Sequence, residues 1–204
     1  MTMQINPLTA FIIKVFLCLP LCYWGWYYFA DLTTWIVISV AEPLLQSVFP
    51  KLIIGIEQSG SLVEVIAEVT VPAQNTPRGM VAELPIPVNP LIYSYGLPLG
   101  LALTLASPFS FFRTLGVIFI NLFLFLLIQV WGIGFESTKV LFLQMSPELI
   151  GNIRLPSWQM DCIALGYQFG VLILPAVTPV IIWVVFYQSF IVRFTPVLLR
   201  KNRL

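Results

Sequence analysis

Gln129, Gly132, Glu136 and Lys139 follow one another at spacings of three, four and three residues, which places them on one narrow stripe of a helix. Such a stripe in an apolar run can form an ion pair, hold a polar ligand or bind a partner's polar group. Ionisable side chains within a membrane usually face the bundle interior, and they often mark a functional site. Asp161 and Gln168 are seven residues apart and share a face of a later helix, while Asn89, Tyr93 and Tyr95 open another apolar stretch. Glu57, just ahead of a hairpin, completes the candidate set. Two chemistries fit these residues: a binding vestibule at the outer leaflet, or interhelical hydrogen bonds that fix the packing. Asn121, deeper in its helix, reads as packing glue.

Catalytic patterns are not found. The chain has no histidine, which removes Ser-His-Asp and Cys-His catalysis and every histidine-based zinc site. Asp31 and Asp161 are its only aspartates, and neither has the Gly-x-Gly-Asp setting of an intramembrane aspartyl protease. Cys162 lies near Arg154, a pair suggestive of transpeptidation, but no histidine is there as a base. Cys18 and Cys22 stand at i, i+4 around Pro20, and two thiols are too few ligands for a metal, so they read as packing groups. No cofactor and no metal are expected.

The elements that position these groups are membrane elements. Of the 204 residues 59% are hydrophobic and 9% charged, and the mean hydropathy is +0.94. Ordinary soluble domains carry about 25% charged residues. A net charge of +1 gives no field to hold nucleic acid. A crossing needs about 20 apolar residues, and four stretches qualify: Leu8 to Ala30, Asn89-Pro90 to Ser107, Thr114 to Ile133, and Asp161 to Gln188. Gly166, Gly170, Pro175 and Pro179 predict a kink in the last. The first ends in Tyr23, Trp24, Trp26, Tyr27 and Tyr28, an aromatic belt unlike a signal-peptide cleavage site. Arg113 in a short loop and the cluster Arg193, Arg200, Lys201 and Arg203 belong inside under the positive-inside rule. Four crossings then put both termini in the cytoplasm and residues 31 to 88 and 134 to 160 outside, where a cysteine engineered at Asn75 is expected to be labelled. Leu32 to Phe49 carries Glu42-Pro43 near its middle, so it reads as a helix at the outer interface rather than a fifth crossing.

Between Lys51 and Val88 the pattern turns to strict alternation. Val63, Val65, Ala67, Val69 and Val71 share one face and Leu62, Glu64, Ile66, Glu68 and Thr70 the other, which predicts a half-buried strand. Leu52, Ile54 and Ile56 alternate upstream, and Met80, Ala82, Leu84 and Ile86 downstream. Gln58-Ser59-Gly60-Ser61 supplies the glycine of a tight hairpin, and Pro72 to Gly79 a polar loop. The expected fold is mainly α and integral to the membrane, with four transmembrane helices and a small extracytoplasmic antiparallel β module. Its blocks are 1–50 (anchor and interfacial helix), 51–88 (three strands) and 89–204 (three-helix membrane domain with a basic tail). The sheet is either a cap over the helices or a docking surface.

Four short pieces carry a likeness: Leu19-Pro20-Leu21-Cys22 with Trp26-Tyr27; Gly55-Ile56-Glu57-Gln58; Val88-Asn89-Pro90-Leu91 with Tyr95-Gly96-Leu97-Pro98; and Ala164-Leu165-Gly166-Tyr167-Gln168. In this order and spacing the chain resembles the exosortase H-associated membrane proteins, small bacterial inner-membrane proteins. The resemblance implies a role beside protein sorting at the outer face of that membrane, and no catalytic residues here. The function expected is that of a non-enzymatic accessory that binds an exosortase or its substrate tail, with membrane lipid around it and no nucleic acid. The alternative is a small transporter or lipid-binding protein using the same vestibule.

Overall fold

The computed structural model describes residues 7–70, 81–108, 110–150 and 153–192. The Pro72 to Gly79 loop with Asn75, the positions Val71 and Met80, and the basic residues Arg193, Arg200, Lys201 and Arg203 lie outside the described residues. The chain forms two compact units, one of residues 29–94 and 126–174, the other of residues 1–28, 95–125 and 175–204. Segments distant in sequence gather in each.

In the first unit the helix α2 (Ala30–Val48) precedes three strands, β1 (Ile53–Ser59), β2 (Leu62–Thr70) and β3 (Val81–Val88). They pair antiparallel in the order β1-β2-β3. Gly60, at φ 64°, makes the β1–β2 turn in a region few other residues adopt without strain. Val63, Val65, Ala67 and Val69 are buried on one face, joined by Ile86 and Val88 of β3. On β1 the inward residues are Ile53 and Ile56 while Ile54 is exposed, which corrects the expected Leu52-Ile54-Ile56 face. A bulge between Ile53 and Gly55 inserts the extra residue that shifts the alternation.

A three-stranded sheet cannot bury its own apolar face. The helix α2 buries Ala30, Val37, Ile38, Ala41 and Leu45, and it also closes the β1 edge. The Gln46 amide donates to the Ile54 carbonyl (2.6 Å), and the Gln58 amide donates to the Asp31 carbonyl (2.9 Å). The Ile54 carbonyl is thereby taken, which blunts that edge as a template for a further strand.

Among the described residues three helical segments are long and apolar enough to cross a membrane: Leu8–Tyr28, Phe111–Gln144 and Ser157–Phe186. The stretch from Asn89 to Ser107, expected as a fourth crossing, yields only the ten-residue α3 (Leu97–Ala106). At about 1.5 Å per residue a helix of that length covers about half of the hydrocarbon. Hydropathy adds up across the whole stretch, but the backbone breaks it twice. Asn89 caps a separate 3₁₀ turn (Pro90–Tyr93), and the chain turns again at Ser94 to Gly96.

The helix α4 (Phe111–Lys139) runs on into a π-helical turn at Val140–Gln144, so the 34-residue segment is about 50 Å long and outreaches a bilayer. The last long helix comprises α5 (Ser157–Gln168), a π-helical turn (Phe169–Ile173) and α6 (Leu174–Phe186), followed by α7 (Gln188–Val192). Where the sequence predicts a kink, the helix has a π turn just before Pro175. There the Leu174 amide bonds the Phe169 carbonyl five residues back.

The second unit gathers α1 (Pro7–Tyr28), α3, the first half of α4, α6 and α7. Phe11 stacks on Trp183 (ring centroids 5.5 Å) and meets Phe190 edge-on (5.4 Å). The Trp183 indole donates to Ser107 (2.9 Å), and the Arg113 guanidinium donates to the Phe186 carbonyl (2.5 Å). The beginning of α1, the Ser107 to Arg113 loop and the end of α6 therefore lie at the same end of this unit. At its other end the Tyr23 hydroxyl donates to the Tyr95 carbonyl (3.3 Å). Asn121, expected as glue, is buried and donates to Val117 in its own helix (2.9 Å), while its carbonyl oxygen packs on Gly100.

Candidate functional site

Five of the sequence-predicted residues meet in the unit that carries the sheet. Asn89 ends β3 and caps the 3₁₀ turn, its side-chain oxygen accepting from the Leu91 amide (3.1 Å). That turn carries Tyr93 to α4, where its hydroxyl donates to the Glu136 carboxylate (2.8 Å). Glu136 also faces Lys139 (3.9 Å), one turn on. Two turns before Glu136, the Gln129 amide donates to the Ser94 hydroxyl (3.1 Å) and the Pro90 carbonyl (3.4 Å). The stripe read from the sequence thus binds the segment that leaves the sheet. Gly132 belongs to it for a steric reason: a Cβ there would overlap the Tyr93 ring.

Tyr93 is fully buried, and Glu136 and Lys139 are only 15% and 17% exposed. Burial first, and then the neighbouring carboxylate, push the Tyr93 phenol up from its ordinary value, which keeps it the hydrogen donor of the pair. The arrangement is a closed clasp rather than an open vestibule. What it does chemically is tie the exit of β3 to α4.

The sequence did not single out Tyr167, Trp131 or Ser94. The Lys139 ammonium sits 3.6 Å from the Tyr167 ring centre, a cation–π contact that brings α5 into the clasp. The Trp131 indole donates to the Gly166 carbonyl (2.9 Å), and a Cβ at Gly166 would overlap the Phe135 ring. The fragment Gly166-Tyr167 within the resemblance was the available signal. Asp161 and Gln168 are exposed on α5 and take no part in the clasp, Tyr95 accepts from Tyr23 through its backbone carbonyl, and Glu57 is exposed on β1.

Glu57 belongs to a different surface. On the sheet face turned away from the buried valines, Glu57 stands directly opposite Glu64, and Glu68 directly opposite Glu83. Like charges in that position destabilise a sheet by tenths of a kcal/mol to about 1 kcal/mol per pair. No ion pair to any of the four is present among the described residues. Leu62 and Val81 are exposed on the same face.

The clasp makes a testable unit. Glu136→Gln and Lys139→Met are each expected to lower the melting temperature in detergent, and the double variant should lose less than the sum. The coupling expected is about 0.5–1 kcal/mol. Strictly additive losses would show that the two charges do not interact.

Neither the curated proteins nor the solved structures contain a match. A family model described as exosortase H-associated membrane protein matches residues 5–190, which takes in both units and every candidate residue, and the chain belongs to that family.

Proposed function

We propose that this protein is a non-enzymatic accessory of an exosortase system, holding the enzyme or its substrate tail at the outer face of the bacterial inner membrane. The observation that carries the proposal is the free sheet face, on which two pairs of opposed carboxylates stand beside exposed Leu62 and Val81. A surface that costs stability and has no ion pair among the described residues suits a partner that supplies cations. The family supports an exosortase-linked membrane partner. The absence of histidine from the sequence supports an accessory rather than a catalyst.

In this reading the clasp has a positioning role, fixing the exit of β3 on α4. The beginning of α1 and Arg113 are cytoplasmic and the sheet is outside, the short α3 returning the chain to the cytoplasmic side packed against α1 rather than as a lipid-exposed crossing. Supporting that orientation, Phe11, Arg113 and Trp183 all lie toward one end of their unit.

The test sets stability against binding. Glu64→Gln with Glu68→Gln removes one carboxylate from each opposed pair, so the variant is expected to melt higher than the parent, by about 0.5–2 kcal/mol in total. Pull-downs from mild detergent should nevertheless recover several-fold less of a stoichiometric membrane partner. A protein that purifies alone, or a partner retained undiminished by the variant, would refute the proposal.

A further inference from the structure

Independently of the exosortase association, the sheet-bearing unit contains an apolar groove of about 530 Å³ between α2 and the outer half of α4. Leu44 and Val48 form one wall, Leu127 and Trp131 the other, and Gly134 lies between them. The two helices approach closely at few points. A Cβ on Gly134 would lie 3.7 Å from Leu45, and the Phe49 and Phe142 rings are 5.9 Å apart. The groove follows α4 from Leu127 to Thr138, a rise of about 16 Å.

Its chemistry narrows the occupant. The polar hydrogens along the walls are already used: the Thr138 hydroxyl donates to the Gly134 carbonyl (2.6 Å) and the Trp131 indole to the Gly166 carbonyl (2.9 Å). Ordered water needs two to four polar partners, and this groove offers it none. A polar ligand would be stripped of water without compensation. The groove's run along α4, about 16 Å, is roughly half the length of a transmembrane helix. A stable protein interface also draws on about 20–30 residues per side, against the ten that line this groove. What remains is a single flexible hydrocarbon chain, which the bilayer supplies.

We infer that this groove is a phospholipid site that seats one acyl chain between α2 and α4. The chain completes the packing that the two helices leave open and braces the helix on which the sheet rests.

Native mass spectrometry of the detergent-purified protein, titrated with 1-palmitoyl-2-oleoyl phosphatidylethanolamine, tests the assignment. The parent should retain one phospholipid through delipidation. Gly134→Leu fills the groove from within and has room for its Cβ, and Leu44→Trp narrows it from the exposed side of α2. Each is expected to lower the retained lipid about tenfold. Gly116→Leu, at an α4 position with no neighbouring atom within 4 Å, should leave retention unchanged. A photoreactive residue at Leu44 should cross-link to lipid. A parent that retains no lipid, filled variants that hold as much as the parent, or cross-links to a partner's helix would overturn the assignment.

Discussion

Gly132→Ala is expected to lower the stability of the folded protein by about 3 kcal/mol, although alanine is the better helix former by about 1 kcal/mol. The new methyl group would fall on the inner atoms of the Tyr93 ring. Tyr93 cannot swing aside, since it is fully buried and its hydroxyl is held by Glu136 at 2.8 Å. Relieving the overlap therefore sacrifices a charge-assisted hydrogen bond worth about 1.5–3 kcal/mol in addition to the packing strain.

Two other helical glycines supply the control. A methyl group added at Gly25 in α1 or at Gly116 in α4 would meet no atom within 4 Å, so alanine there should raise stability by up to about 1 kcal/mol. The same substitution then has opposite signs within a single helix, α4. Thermal melts in one detergent would read all three. A Gly132→Ala protein that melts with the parent would show that the clasp does not hold β3 on α4.

The sheet and the stripe were legible in the sequence for the same reason. Period two in Val63 to Val69, and spacings of three and four in Gln129 to Lys139, are properties of one element read along its own axis. What lay beyond reach was the relation between elements. Asp161 and Gln168 do share a face of α5, but that face is exposed, and nothing in their spacing could tell which side of α5 meets α4. Tyr167, one residue before Gln168, makes the contact with Lys139 instead. In an apolar, aromatic-rich helix a tyrosine carries no mark that separates a cation–π partner from a lipid-facing ring.

The short α3 shows the complementary limit. A window average over Asn89 to Ser107 is apolar enough to cross a membrane, yet the Asn89 cap and the turn at Ser94 to Gly96 are local hydrogen-bonding events that an average erases. The β1 bulge is likewise invisible in alternation, because one inserted residue changes the face of every position before it.

Gly96→Ala should be at least as damaging as Gly132→Ala, about 3 kcal/mol or more, and for a cause that no rotamer change can relieve. The backbone of Gly96, at φ −79° and ψ −16°, suits any residue, so conformational strain is not the issue. The obstacle is the Pro175 carbonyl, whose oxygen occupies the place of a Cβ on Gly96. That carbonyl lacks its ordinary α-helical partner in α6, because the residue four positions on is Pro179, which has no N–H. Gly96 lets the chain entering α3 lie directly on it, where a Cα–H can partly satisfy the oxygen. A methyl would push the two backbones apart and leave a carbonyl unsatisfied in an apolar setting, a cost of about 1–3 kcal/mol by itself. The cause can be isolated with Pro179→Ala, which returns an N–H to α6 and draws the Pro175 oxygen back into the helix. The Gly96→Ala, Pro179→Ala pair should then melt well above the value expected from adding the two single losses. Additive losses, or a Gly96→Ala protein as stable as the parent, would show that α3 and α6 are not joined through this carbonyl.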